Sequence, residues 1–455
     1  MLRQTLESRL IQPNSWTGPS AAGLLEGRRP GNRTGPVTVV LARRHPHENS
    51  GRLAMNCSIR ARLIQFAWIV ILAAPCAAWA QSQTIDTVAG TGAQGYAGDG
   101  GPAASALLAP EGLCLDREGN LFVAEPVNHV VRRIDRATGI ITTYAGTGQT
   151  VYNGEGLEAT ATNLGYPTGV AVGPDDDVYV ADYGATSRIW RVDHHTLTMH
   201  TVVGGSERGF SGDGGPASAA LINATDIAFD RYGNLFISDS GNERIRRVDR
   251  RTGIITTVVG NGTHGAGPAS GPAAAAGFLY FITIAFDRRN SMFFADSVLS
   301  TVRELDRQGR TFTTVAGVYP GTTGVAFEAG YNGDGQPATQ ALLNYPSHIA
   351  TDCAGNLTIS DSANYRVRQV DRQTGVIETI AGTGAAGFSG DGGLAIQAML
   401  MQPRGLAFAR DGALYVADGF RIRRISGLPG HHRWDCRDDR RYGLHRDDGD
   451  ADDDH

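Results

Sequence analysis

Five polar side chains stand where a repeated sequence pattern is broken, and their chemistry is the first question the sequence raises. Asp226, Thr283 and His348 each lie thirteen residues before an acidic marker of a recurring phrase, at a register position that three other copies fill with Gly112, Gly169 and Gly405. Glu111 and Arg404 occupy the position just before it. Carboxylates with one imidazole are a donor set for a divalent ion, so Glu111, Asp226 and His348 could in principle hold a metal, with Asp226 and His348 the candidate ligands. The plainer expectation is a group of solvated residues at a wet opening. No cofactor other than such an ion is implied. No catalytic residue is assigned: the chain lacks lysine, which removes Schiff-base and P-loop chemistry, and it shows neither a Gly-x-Ser-x-Gly elbow nor a dinucleotide-binding glycine fingerprint.

The elements that would position these residues come from the repeat. The phrases LFVAE, VYVAD, LFISD, MFFAD, LTISD and LYVAD end on Glu125, Asp182, Asp239, Asp296, Asp361 and Asp418, spaced by 57, 57, 57, 65 and 57 residues. The longer step is accommodated by about eight extra residues between Val318 and Gly330. One copy, 110–146, reads as GLCLD, LFVAE, VVRRID and IITTYAG separated by Gly/Asn turns, the alternation expected of four short antiparallel strands. Units that cannot bury their apolar faces alone must stack, and four-stranded units repeated radially make a propeller. The last copy stops at Ser426 without a fourth strand, whereas an isolated TIDTVAG at 84–90 precedes the first. The expected fold is therefore all-β: a six-bladed β-propeller of four-stranded antiparallel blades, closed by an N-terminal strand that completes the last blade.

Between blades run the segments GYAGDGGPAASALL, GFSGDGGPASAALI, GYNGDGQPATQALL and GFSGDGGLAIQAML. Their aspartates, Asp99, Asp213, Asp334 and Asp391, invite a calcium or phosphate reading, but a feature copied around a ring reads as scaffold: a tight Asp-Gly turn and an Ala-rich cap over the blade. Arg132, Arg191, Arg246, Arg303, Arg368 and Arg423 occupy comparable places on the third strands and are expected to pair with blade carboxylates such as Asp239 and Asp361.

The termini set the compartment. Residues 55–80 carry Arg60 and Arg62, an apolar run and the small-residue ending Ala78-Trp79-Ala80, a secretory leader cleaved before Gln81. Residues 1–54 are then a non-native or disordered extension, translation starting at Met55; the propeller spans 81–427, and 428–455 form a disordered Asp/Arg/His-rich tail. The first 80 residues hold ten arginines against three glutamates, a sum of +7, so with −5 on the whole chain the remainder carries −12. An acidic, lysine-free domain is a poor partner for nucleic acid. Cys114, Cys353 and Cys436 follow the leader with no knuckle spacing or disulfide framework.

The patterns P-x-G-[IVL]-A-x-D, G-N-[LV]-[YF]-[VI]-[AS]-D, N-x-R-[IV]-R-x-[VI]-D and T-G-x-I-x-T-[VI]-A-G, with AGTG and GDGGPA between blades, resemble the NHL-repeat family, in particular exported bacterial members, over 85–427. That resemblance implies a propeller that acts in recognition or as a scaffold, a secreted or periplasmic monomer presenting its loops or one ring face to a protein, peptide or glycan, with no membrane span after leader cleavage. It also implies the alternative of a channel-centred, metal-dependent lyase or lactone hydrolase. The lyase likeness would require several channel histidines, and only His348 stands at the matching position.

Overall fold

The computed structural model describes residues 83–428 apart from Ser206, Phe281 and 320–328. The leader, the N-terminal extension, the C-terminal tail and most of the longer interblade segment lie outside the described residues. The rest forms six antiparallel sheets, five of them built from consecutive strands: Leu113–Leu115, Leu121–Glu125, Val130–Ile134 and Ile141–Ala145 make blade 1, and blades 2 to 6 begin at Pro167, Asp226, Ile282, Pro346 and Pro403. Strands of three to seven residues with Val, Ile, Phe and Tyr at alternate positions, broken by Gly/Asn turns, form this architecture because each residue pair along the strand sends one side chain toward each neighbouring blade. Among the described residues the only helical pieces are three-residue 3-10 turns.

Strict four-strand blades hold only for blades 1 and 3. In blades 2, 4, 5 and 6 a fifth, two- or three-residue strand from the interblade segment pairs outside the fourth: Leu157–Glu158, Ser270–Pro272, Gln336–Pro337 and Gly393–Leu394. The segment Thr84–Ala89 lies in blade 6 between Arg421–Ser426 and Gly393–Leu394, with Ile85 opposite Ile425 on one side and Gly393 on the other. Its Ile85 is fully buried in a cluster with Val367, Ile380, Leu406 and Val416, so chain segments more than 330 residues apart share one core.

The core consists of layers between blades. Phe122, Ala124 and Val131 of blade 1 pack on Val170, Val180, Trp190 and Met199 of blade 2, and Leu121, Val123 and Ile141 pack on Ala407, Ala417 and Ile422 of blade 6. A side chain of this size contributes roughly 1.5–3 kcal/mol when fully buried. Each interblade 3-10 turn seats its first alanine in a layer, as Ala103 and Ala217 do. Cys114 is a free, half-buried thiol, which burial pushes up from its ordinary value, and Cys353 is disulfide-bonded, which the cysteine spacing does not announce.

In five of the six blades the third strand fully buries an arginine. Arg246 is fully buried and reaches Asp213 at 2.7 Å, Asp239 at 3.6 Å and the carbonyl oxygens of Leu221 and Ser211. Arg132 joins Asp99 to Glu125, Arg368 joins Asp334 to Asp361, and Arg423 joins Asp391 to Asp418. The interblade aspartates therefore clamp the third-strand arginines; this is the scaffold role with its partner identified. A guanidinium with fixed carboxylates and carbonyls on its donors meets the condition for burying charge. Arg303, whose loop lacks the aspartate, has Asp296 at 3.9 Å and lies near the rings of Phe278, Phe294 and Phe312 instead.

Arg191 does not belong to this set. Strand register places Trp190 opposite Val180, where the other blades place their buried arginine, and its indole N–H donates to Asp182 at 3.3 Å. Arg191 points to the other side of the sheet and pairs with Asp177 at 2.5 Å. One residue along a strand is one face away, so Arg191 lies beside the core position without entering it.

Candidate functional site

The first strands converge on the ring axis, and the five polar candidates meet there in two different roles. Three glycines bring the strands together: a Cβ at Gly112 would lie 2.5 Å from the Thr168 carbonyl oxygen, one at Gly169 would lie 2.9 Å from Asp226 Oδ1, and one at Gly405 would collide with the Glu111 carbonyl. Asp226, Thr283 and His348 fill the axis on the other side. Asp226 is 6% exposed and Thr283 8%, so these two are buried filling and not the solvated residues of a wet opening. The physical reason is the narrow axis, which leaves no room for bulk water once a side chain enters from each of three adjacent blades.

Asp226 Oδ2 accepts the N–H of Ile284 from the next blade at 3.1 Å. With no cation beside it, burial raises its carboxyl from the ordinary value to about 7. Burial lowers His348 to about 4 and keeps the imidazole neutral. Thr283 Oγ1 and His348 Nδ1 are buried without a hydrogen-bond partner. Among the described residues no three His, Cys, Asp or Glu side chains are grouped to hold a metal, and Glu111 is engaged elsewhere, so the residues present do not fit a divalent ion.

Glu111 and Arg404 pair with each other, at 3.2 Å across the junction between blades 1 and 6. Burial raises the Glu111 carboxyl, with Arg404 opposing the shift. The register position they occupy links blades elsewhere too: Thr168 Oγ1 donates to the Thr225 carbonyl at 2.6 Å, and Ser347 Oγ to that of Pro403 at 3.3 Å. Glu111 and Arg404 are the ionic counterpart of this hydroxyl linkage.

The more open feature of this face is aromatic. Three residues before the axial position, blades 2, 4 and 5 carry Tyr166, Tyr280 and Tyr345, where the others have Ala109, Asn223 and Gln402. Tyr166 and Tyr345 are 38% and 37% exposed, and the Glu111–Arg404 pair acts electrostatically on both. Tyr183, whose N–H donates to the Tyr166 carbonyl, meets Tyr280 hydroxyl to hydroxyl at 3.0 Å, spanning from blade 2 to blade 4 past blade 3. The Arg208 guanidinium stacks 4.1 Å from the Tyr183 ring. Tyr345 sits at φ +55°, a left-handed conformation that bulky residues rarely adopt and that marks a position held by its surroundings. These tyrosines were missed in the sequence; their signal was the same register comparison taken three residues upstream.

Two family models match the chain: an NHL repeat at residues 164–191 and a Teneurin NHL domain at residues 384–428. The chain is an NHL-repeat β-propeller. The chain is 28% identical over 335 residues to protein SUPPRESSOR OF QUENCHING 1, chloroplastic, of Arabidopsis thaliana, covering 73% of this chain and 26% of that protein. It is 23% identical over 313 residues to NHL repeat-containing protein 2 of Gallus gallus, covering 62% of this chain and 41% of that one. The NHL propeller thus spans well under two thirds of these longer relatives. Among solved structures, a protein of unknown function from Bacteroides thetaiotaomicron superposes with a TM-score of 0.57 at 18% identity, with 76% of each chain covered. An auxiliary nutrient binding protein from Bacteroides ovatus gives 0.56 at 16%, covering 76% of this chain and 77% of that one. At these identities the likeness is one of fold.

Proposed function

We propose that this NHL propeller is a recognition module that takes a protein, peptide or glycan on the ring face bearing Tyr166 and Tyr345. The observation that carries the reading is the departure from sixfold symmetry: blades 2, 4 and 5 carry tyrosines at one register position, and those of blades 2 and 5 flank a partly buried ion pair. Tyrosine supplies a large contact area with a polar tip at small entropic cost, which suits a recognition surface. The buried Asp226 and Thr283, with the half-buried His348, support that face from beneath and hold its opening rigid. Repeated features, such as the arginine clamps, serve the scaffold.

The leader-like segment at 55–80 supports an exported module, either secreted or periplasmic, and the acidic charge after it supports a ligand other than nucleic acid. We take the working form as a monomer. Screening the full chain against peptide-display and glycan arrays tests the function, with Tyr166→Ala/Tyr345→Ala as the comparison. Ligands enriched by the parent and lost by the double variant, at unchanged melting temperature, support it. Equal enrichment by both chains sinks it.

A further inference from the structure

The opposite end of the first strands carries a second departure from symmetry, independent of the tyrosine face. In four blades the strand is followed by an aspartate, Asp116, Asp230, Asp287 or Asp352, whose carboxylate turns back to accept the backbone N–H four residues on, from Asn120, Asn234, Ser291 or Asn356, at 2.7–2.8 Å. Blades 2 and 6 place Gly173 and Ala409 there. A cavity of about 280 Å³ opens where those two carboxylates are missing, at the junction of blades 6, 1 and 2.

Its walls divide by chemistry. Leu115, Val172, Phe408 and Tyr415 line it with carbon, and all four are partly buried. Three carboxylates also line it, but each is engaged: Asp116 by Asn120, Asp176 by Arg117 at 2.9 Å, and Asp411 by Arg424 at 3.0 Å. Two lining guanidiniums are left over. Arg136 donates only to the Glu118 carbonyl at 3.3 Å, and Arg410 has no hydrogen bond or ion pair among the described residues. The cavity therefore presents an apolar wall beside two guanidiniums that no carboxylate engages, their donors free for the two oxygens of a carboxylate.

We propose that this cavity binds a small organic anion, a carboxylate carried on an aromatic or branched apolar body. The apolar part lies against Phe408, Tyr415 and Val172, and the carboxylate meets Arg410 and Arg136. The same site rejects the uncharged analogue, because the arginines then gain nothing from exchanging water for ligand.

Isothermal titration of the full chain with phenylacetate, against phenylacetamide as the uncharged control, tests this. Phenylacetate is expected to bind one per chain, at least tenfold more tightly than phenylacetamide. Arg410→Gln, a surface change, should raise Kd at least tenfold without moving the melting temperature, and Ala409→Asp, which restores the residue of the four regular blades, should abolish binding. If Ala409→Asp proves unstable, Arg410→Gln decides alone. Absence of phenylacetate binding, equal binding of the amide, or an unchanged Kd in Arg410→Gln overturns the proposal.

Discussion

Arg404 of the sixth blade donates to Glu111 of the first across 3.2 Å, joining residues 293 apart in the chain at the same junction whose outer side is held by Thr84–Ala89. The pair is about a third exposed, so its electrostatics are screened and its contribution is small. A double-mutant cycle with Glu111→Gln and Arg404→Gln should give a coupling of about 0.5–1 kcal/mol. A value above roughly 3 kcal/mol would mean that the ion pair, and not the strand, holds the junction.

The strand is expected to dominate. Removing residues 83–90 strips Ile85 and Ala89 from two buried clusters and exposes the edge of Arg421–Ser426. Stability should fall by several kcal/mol, about what the lost apolar burial and opened ladder amount to. Thermal unfolding measures it, and an unchanged melting temperature would contradict the arrangement. Ile85→Ala alone should cost about 2–4 kcal/mol.

Two arginines that look alike along the chain should behave differently. Arg368→Ala leaves Asp361 buried without its cation and should cost about 3–5 kcal/mol. Arg191→Ala removes a 41% exposed guanidinium, while Asp177 keeps His194 as a partner at 2.9 Å, so about 1 kcal/mol is expected. Denaturant titration of the two variants compares them directly.

Asp226 makes stability depend on pH. Its folded-state carboxyl, at about 7, lies above the unfolded value, so its stabilising contribution is complete below roughly pH 4 and is lost as pH rises through 7. Asp226→Asn keeps the shape without the charge. At pH 8 it should exceed the parent in stability by about 2–4 kcal/mol, and near pH 4 the gap should close. The same gap at both pH values would show that the carboxyl does not titrate in this range.

The blades were readable because their determinants are local. LFISD followed by RIRRVD, with a turn between, specifies two paired strands wherever it sits, and copying it at a period of 57 residues specifies stacking. The candidate site was readable only in part. Comparison at one register position found Asp226, Thr283 and His348, but whether they face solvent depends on how closely Gly112, Gly169 and Gly405 draw the strands together. Glu111 and Arg404 were visible as charges and not as a pair.

The order of strands, the number of blades and the scaffold role of the GDGG turns follow from the sequence by itself, since alternation, turn residues and periodicity act over a few residues at a time. Tertiary structure alone decided that Trp190 and not Arg191 enters the core, that Asp213 reaches across 33 residues to Arg246, and that two missing carboxylates leave a cavity among blades 6, 1 and 2. Each of these depends on which faces meet when neighbouring blades pack, a relation between distant segments that no local pattern contains.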